Sequence, residues 1–204
     1  MSGIRHIVFD LGRVLLRWEP ELPFLRLIPN AIDREHFLAE VCNARWLLDI
    51  DLGTSWEEAE RDLITRHPEH KAMIRAFRPH WHEMTPGLVE GTPLILSQLI
   101  AAGYDVTALT NFAADTFEEA FDRFGLLAAF RGITVSARCG LAKPDDAIFE
   151  HHAAAFGLDA GGTLFFDDAL PNVQAARRVG WRAESFENAD RMRRDLRRHG
   201  VKID

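Results

Sequence analysis

Cysteine is scarce: Cys42 and Cys139 are the only two in 204 residues, too few for a disulfide-stapled secreted scaffold. Both are expected to be free thiols in a reducing cytoplasm. Long apolar runs are missing too, since no stretch approaches the roughly 18 uninterrupted apolar residues of a membrane-spanning helix. Met1-Ser2-Gly3-Ile4-Arg5-His6 leads into a strand pattern with no apolar signal segment before it. Positive charge is in deficit, with 24 Lys and Arg against 31 Asp and Glu and a formal charge of −7. That balance argues against a role in coating nucleic acid or an anionic membrane, because both need a basic surface. A small anionic substrate would need a local cation. There is no internal repeat or low-complexity tract. What is present, 47% hydrophobic and 27% charged residues, suits one good core with a smaller insertion.

Glycines punctuate the chain at Gly103, Gly125, Gly157, Gly180 and Gly200, each after a helical pattern, where a left-handed cap stops a helix. Between them lie short β-branched and aromatic runs: Ile4 to Phe9, Val106 to Leu109, Ile133 to Val135 and Leu164 to Phe166. Strand and helix alternate, which predicts an α/β fold: a Rossmann-like parallel sheet with helices on both faces. From about Leu15 to Val89 the rhythm changes to helix throughout, with a capping-box start at Ser55-Trp56-Glu57-Glu58 and breaks at Pro68, Pro79 and Pro86-Gly87. This reads as a small helical lid inserted after the first strand. A core helix is expected to start at Thr92-Pro93. The basic run Arg191 to Arg198 reads as an exposed helix face with Met192 and Leu196 turned inward.

Three segments put charge where an apolar run stops: Ile7-Val8-Phe9-Asp10, Leu141-Ala142-Lys143-Pro144 and Leu164-Phe165-Phe166-Asp167-Asp168. Ligands of open parallel sheets sit outside the carboxyl ends of the strands, so acids there from distant strands are candidates for one site. Asp10 alone could be a turn-capping aspartate. Thr110-Asn111 ends another strand before a helix starting near Ala113, and could receive phosphoryl oxygens or merely cap that helix. Pro144-Asp145-Asp146 reads as the first turn of a helix, where the dipole disfavours a cation, so Lys143 is best explained by an anion that it answers. Adjacent Asp167 and Asp168 would repel unless a dication or a lysine compensates them. Magnesium fits, since it takes one or two carboxylates with waters and substrate phosphate.

The pieces Phe9-Asp10-Leu11-Gly12-Arg13-Val14, Leu109-Thr110-Asn111, Lys143-Pro144 and Phe166-Asp167-Asp168 occur in the order and spacing of the haloacid dehalogenase superfamily of hydrolases. The chain resembles that superfamily over nearly its whole length. It is most similar to the helical-cap subclass and its branch of sugar-phosphate phosphatases, and Trp18-Glu19-Pro20 is similar to the stretch that often follows the first motif there. The resemblance implies a catalytic core of residues 1–15 and 89–204 and a helical cap of residues 16–88. It further implies a Mg²⁺-dependent phosphatase acting on a small phosphorylated metabolite, a sugar phosphate among the options, as a monomer or homodimer. Asp10 would be nucleophile and metal ligand, forming an aspartyl-phosphate that water hydrolyses. The metal would be held by Asp10, the Gly12 carbonyl and Asp168, with Asp167 in support directly or through water. Thr110 and the Asn111 amide would bind the transferring oxygens, and Lys143 would orient Asp10 and the phosphoryl group.

One position departs from the pattern. Phosphatases of this superfamily mostly carry a second aspartate two residues after the nucleophile, as acid and base, and here that position is Gly12. Its absence predicts a rate deficit on the order of 10²–10⁴ for poor leaving groups. A cap histidine, His80 or His82, is the expected substitute. The same gap suits two other functions: a metal-free 2-haloacid dehalogenase, or a binding protein that has lost catalysis. Arg13, Arg17, Trp18, Trp46 and Trp81 lie in or beside the cap, where they either meet substrate or pack its helices together.

Overall fold

In the computed structural model, which describes residues 3–203, five parallel strands form one sheet: β1 (His6–Phe9), β2 (Asp105–Thr110), β3 (Ile133–Val135), β4 (Thr163–Asp167) and β5 (Arg182–Ser185), in the order β3-β2-β1-β4-β5. The first strand is central. Its neighbours return from opposite directions, so a crevice opens at the carboxyl ends of β1, β2 and β4. Phe9 pairs with both Ala108 and Phe166, and the Asp10 N–H carries the ladder one step further to the Phe166 carbonyl at 2.9 Å. That register brings Asp10 and Asp167 side by side past the last apolar layer.

Side chains alternate across the pleat with period two, so each strand feeds two cores. Ile7, Phe9, Val106, Ala108, Leu164 and Phe166 pack on one face against the helices Thr92–Ala101, Ala114–Arg123 and Ala189–Arg198. Val8, Leu109 and Phe165 pack on the other against Asp146–Phe156 and Leu170–Arg178. Met192 and Leu196 are the buried side of the basic helix, as its spacing predicts. The first four strands lie where the apolar runs placed them. The fifth was not visible in the sequence, because Arg182-Ala183-Glu184-Ser185 is an edge strand in which only Ala183 is buried. Left-handed glycines follow the helices at Gly103, Gly157, Gly180 and Gly200. Gly125 differs: it opens a short 3₁₀ turn over Gly125–Ala129 without positive φ.

Between β1 and β2 runs a set of helices from Glu21–Leu27 to Trp81–Met84 with its own apolar core, in which Phe24, Phe37, Trp46, Ile50, Leu63 and Phe77 are almost fully buried. Ser55 caps the helix Trp56–Arg66 by accepting from the Glu58 N–H. Breaks occur near all three predicted prolines: Pro68 begins a 3₁₀ turn, Lys71–Phe77 stops before Pro79, and Trp81–Met84 stops before Pro86. The entering and leaving chains run side by side, with Arg17 N–H on the Gly87 carbonyl and Val89 N–H on the Leu15 carbonyl, both at 2.8 Å. No helix among the described residues is long and apolar enough to cross a membrane.

Candidate active site

Lys143 is the centre of the crevice. Its side chain is 1% exposed, and its ammonium reaches Asp10 Oδ1 at 2.8 Å, Asp167 Oδ2 at 2.7 Å and the Leu109 carbonyl at 3.0 Å. Three N–H donors meet three acceptors, which is what allows a lysine to be buried with its charge intact. Burial alone would lower its pKa, but Asp10 and Asp167 outweigh that and raise it.

This corrects the sequence-based account of Lys143. The helix begins at Asp146 with Asp145 as its N-cap, and β3 ends at Val135 with the short helix Ser136–Cys139 following. Lys143 therefore lies in a loop ahead of the helix, beyond the reach of the dipole argument, and does not end a strand. The anions it answers are the two aspartates. Asn111 sets that loop: its side chain accepts from the Lys143 N–H and donates to the Lys143 carbonyl, both at 2.9 Å. The Asn111 side chain is thus occupied in holding the lysine, and what remains for a ligand is its backbone amide. Thr110, the last residue of β2, is buried beside it.

The three carboxylates differ in freedom. Asp167 is fully buried; Oδ1 accepts from the Ala169 N–H and from Asn172, and Oδ2 accepts from Lys143 and Asn172. Three donor groups make four hydrogen bonds to it, two at each oxygen, which fills its lone pairs. Asp10 Oδ1 accepts from Lys143 and from the Leu11 N–H at 2.7 Å, so the hydrogen bonds found on this carboxylate all converge on one oxygen. Asp168 is more open, with its side chain 27% exposed and Arg13 at 3.7 Å. Burial pushes the Asp10 carboxyl up to about 7 against the pull of Lys143, with Asp167 and Asp168 adding to the rise. Asp168 is raised as well, by burial and by Asp167. Oxygens of all three lie within 4.8 Å of one another. Three carboxylates around one ammonium leave an excess of negative charge in hard oxygen donors, which is the chemistry of a Mg²⁺ site. Asp167 takes part in that cluster by position, but with its lone pairs filled it is better placed to meet an ion through water than directly.

Above the crevice the helical insert closes one wall of a cleft. Leu16, Trp18, Leu47, Trp56, Trp81 and Phe112 supply most of its surface, with Gly12, Arg17, Asp51, Thr85 and Asn111 as polar breaks. Trp18 and Trp81 line it, while Trp46 is buried in the insert and donates to the Ala59 carbonyl at 3.1 Å, so it packs helices and meets no ligand. Neither candidate histidine reaches the cleft. His80 is tied to Glu83 at 2.7 Å, and His82 is exposed on the same short helix. Both lie on the insert's outer side because the buried stripe of that helix is Trp81 and Met84.

The profile of the haloacid dehalogenase-like hydrolases matches residues 4–180. The chain belongs to that family. The sesquiterpene phosphatase astK of Aspergillus oryzae is 27% identical over 187 residues, 85% of each chain. Among solved structures, a HAD family enzyme of Bacteroides thetaiotaomicron in complex with magnesium and inorganic phosphate superposes with a TM-score of 0.69 at 22% identity, covering 91% of this chain and 96% of that one. L-2-haloacid dehalogenase of Xanthobacter autotrophicus with covalently bound chloropropionic acid gives 0.67 at 15% identity, covering 98% and 84%. These two share the fold of the family and, at such identities, no more than the fold.

Within this HAD-like frame the sequence missed Asn172, Ser136 and Asp51. Asn172 stands five residues after Asp167 in the first turn of the helix Leu170–Arg178, and a polar amide there, behind a strand-end carboxylate, was a usable signal. Ser136 accepts from the Phe112 N–H at 2.9 Å and donates to the Asp51 carbonyl at 2.6 Å, a link across 85 residues that no local pattern announces.

Proposed function

We propose that this HAD-like hydrolase is a Mg²⁺-dependent phosphatase that transfers the phosphoryl group of a small phosphomonoester to Asp10 and then to water. The carrying observation is the convergence of Asp10, Asp167 and Asp168 on one another at the carboxyl edge of the sheet, with Lys143 paired to the first two. Asp10, the Gly12 carbonyl and Asp168 would hold the metal, with Asp167 acting through water and keeping Lys143 in place. When bound, Mg²⁺ supplies the positive charge that keeps Asp10 ionised and offsets the phosphoryl oxygens. Lys143 fixes Oδ1 of Asp10 and leaves Oδ2 as the oxygen to attack phosphorus. The Thr110 hydroxyl and the Asn111 backbone amide would take the transferring oxygens. Residues 16–88 would be the cap over this site, and the two free thiols suit a reducing compartment such as the cytoplasm.

The alcohol part of the substrate faces aromatic rings and leucines, which favours an apolar body over a sugar. The phosphatase relative in Aspergillus oryzae, named for a sesquiterpene substrate, agrees with that preference. Dehalogenation has Gly12 in its favour, yet without a metal the uncompensated carboxylates would repel a haloacid's own carboxylate. The test is hydrolysis of p-nitrophenyl phosphate with and without Mg²⁺, for the native chain and Asp10→Asn. Metal-dependent release that vanishes in the variant is expected. A folded, Mg²⁺-loaded protein that releases no phosphate, but releases chloride from 2-chloropropionate, would reverse the assignment.

A further inference from the structure

We propose that Asp51, a carboxylate at the end of an insert helix, is the acid–base residue of this site, occupying the role left vacant at Gly12. The proposal rests on the phosphatase reading above. Asp51 ends the helix Ala44–Asp51 and lines the same cleft as Gly12 and Asn111. Its placement is built from both sides. The Ser136 hydroxyl donates to its backbone carbonyl at 2.6 Å, and the Ala113 N–H faces its carboxyl group closely enough to favour the ionised form. Two residues on, Gly53 adopts a φ of +107°, and a Cβ there would lie 3.5 Å from the Ala137 carbonyl, so the turn after Asp51 runs alongside the short helix Ser136–Cys139.

Among the described residues Asp51 has no ion-pair partner. The charged groups near it are Lys143 below and Arg17 on the cleft wall. A carboxyl placed between rings and a backbone amide, without a counter-ion, is favoured in its neutral form. Burial pushes it up to about 7, against the Ala113 N–H and Lys143. It is therefore a proton donor near neutrality, as a leaving alkoxide requires. As the bond from phosphorus to the ester oxygen breaks, the Asp51 O–H proton passes to that oxygen and Asp51 becomes a carboxylate. In the second half-reaction the carboxylate takes a proton from the water that attacks the phosphorus on Asp10, which releases phosphate and restores the acid.

A purely structural role, latching the insert to the helix that follows β2, predicts a different outcome, and the leaving group separates the two. The full chain with Mg²⁺ is assayed on p-nitrophenyl phosphate, whose phenolate needs no proton, and on 2-phenylethyl phosphate, whose alkoxide does. Asp51→Asn, which keeps the shape, is expected to slow alcohol release in the first turnover, read by rapid quench, by roughly 10²–10⁴ on the alkyl ester and by less than about tenfold on the nitrophenyl ester, while later turnovers slow on both because water loses its base. Asp51→Glu is expected to recover part of the alkyl-ester rate. Equal losses on both esters in that first turnover, or no loss there on the alkyl ester, overturns the assignment of Asp51 while leaving the phosphatase reading intact. If the native protein hydrolyses neither ester, the phosphatase reading falls and Asp51 falls with it. A circular-dichroism melt of each variant separates loss of fold from loss of the proton.

Discussion

The two walls of the cleft are made in opposite ways. At the sheet edge, buried charge is matched donor to acceptor: Lys143 has three acceptors, Asp167 has three donors making four hydrogen bonds, and Asn111 holds the lysine's backbone at both its N–H and its carbonyl. Across from it the insert offers Trp18, Leu47, Trp56 and Trp81, held by packing, and its Thr85 hydroxyl is buried in that wall without a partner. A reaction at phosphorus needs fixed charges within tenths of an ångström, whereas accommodating an apolar body needs only area. Specificity and chemistry are separable in this molecule: changes on the core wall should act on rate and fold together, and changes to the rings of the insert wall, Asp51 apart, on binding.

Removing Lys143 is the severest way to test that separation. Lys143→Met leaves Asp10 and Asp167 facing each other in a buried site, a loss of roughly 3–5 kcal/mol in stability, with phosphatase activity falling by about 10³-fold. A melt within a degree or two of native would show that the core wall is not charge-locked. His152 probes the same polarity deeper in the core. Its ring is bonded to Thr107 at 2.9 Å and Thr134 at 2.7 Å, and burial, with His151 and Arg131 adding, holds it down at about 3. The depressed value means the unfolded chain binds the extra proton first, so this contribution is complete above pH 6.5 and drains away toward pH 3. His152→Gln should flatten the acid side of a denaturation curve over that window; an unchanged slope would refute the assignment. Next in size, Asn172→Ala removes the amide that bridges both Asp167 oxygens and should weaken Mg²⁺ affinity about 10–100-fold, read by calorimetric titration. Smallest is the insert wall: Trp18→Leu should raise KM for an aryl or alkyl phosphate a few-fold, about 1 kcal/mol, with kcat held. A matching fall in kcat would mean that the rings of the insert, and not Asp51 alone, set the chemistry.

Gly12 sharpens the comparison from the other direction. A Cβ built there meets nothing within 4 Å, and its φ lies outside the left-handed region. Gly12→Asp should therefore fold normally and restore alkyl-ester hydrolysis to Asp51→Asn. Failure to restore it, in a folded double variant, would mean that room at Gly12 is not enough to place an acid.

Much of the core was legible because strand and helix carry different periods. The runs ending at Phe9, Leu109, Val135 and Phe166 are apolar on both faces of a buried sheet, so they stand out as short uninterrupted blocks. The strand Arg182–Ser185 did not, since an edge strand is stabilised by the ladder it joins and needs no apolar run of its own. Asp10, Lys143, Asp167 and Asp168 were found because charge directly after an apolar run is costly unless it is used. Asp51 was not, because it ends an ordinary amphipathic helix, and only the fold of the insert turns it toward the cleft.

The sequence alone determined the parallel α/β core, the place of the helical insert and the acids at the rim, since each follows from local periodicity and the cost of burying charge. Tertiary structure decided what those residues do to one another. Lys143 answers two aspartates 24 and 133 residues away, Asn111 serves the lysine's backbone, and the insert presents rings and one carboxylate instead of histidines. Those pairings depend on strand order and register, which place residues remote in the chain at one edge of the sheet and which no local pattern encodes.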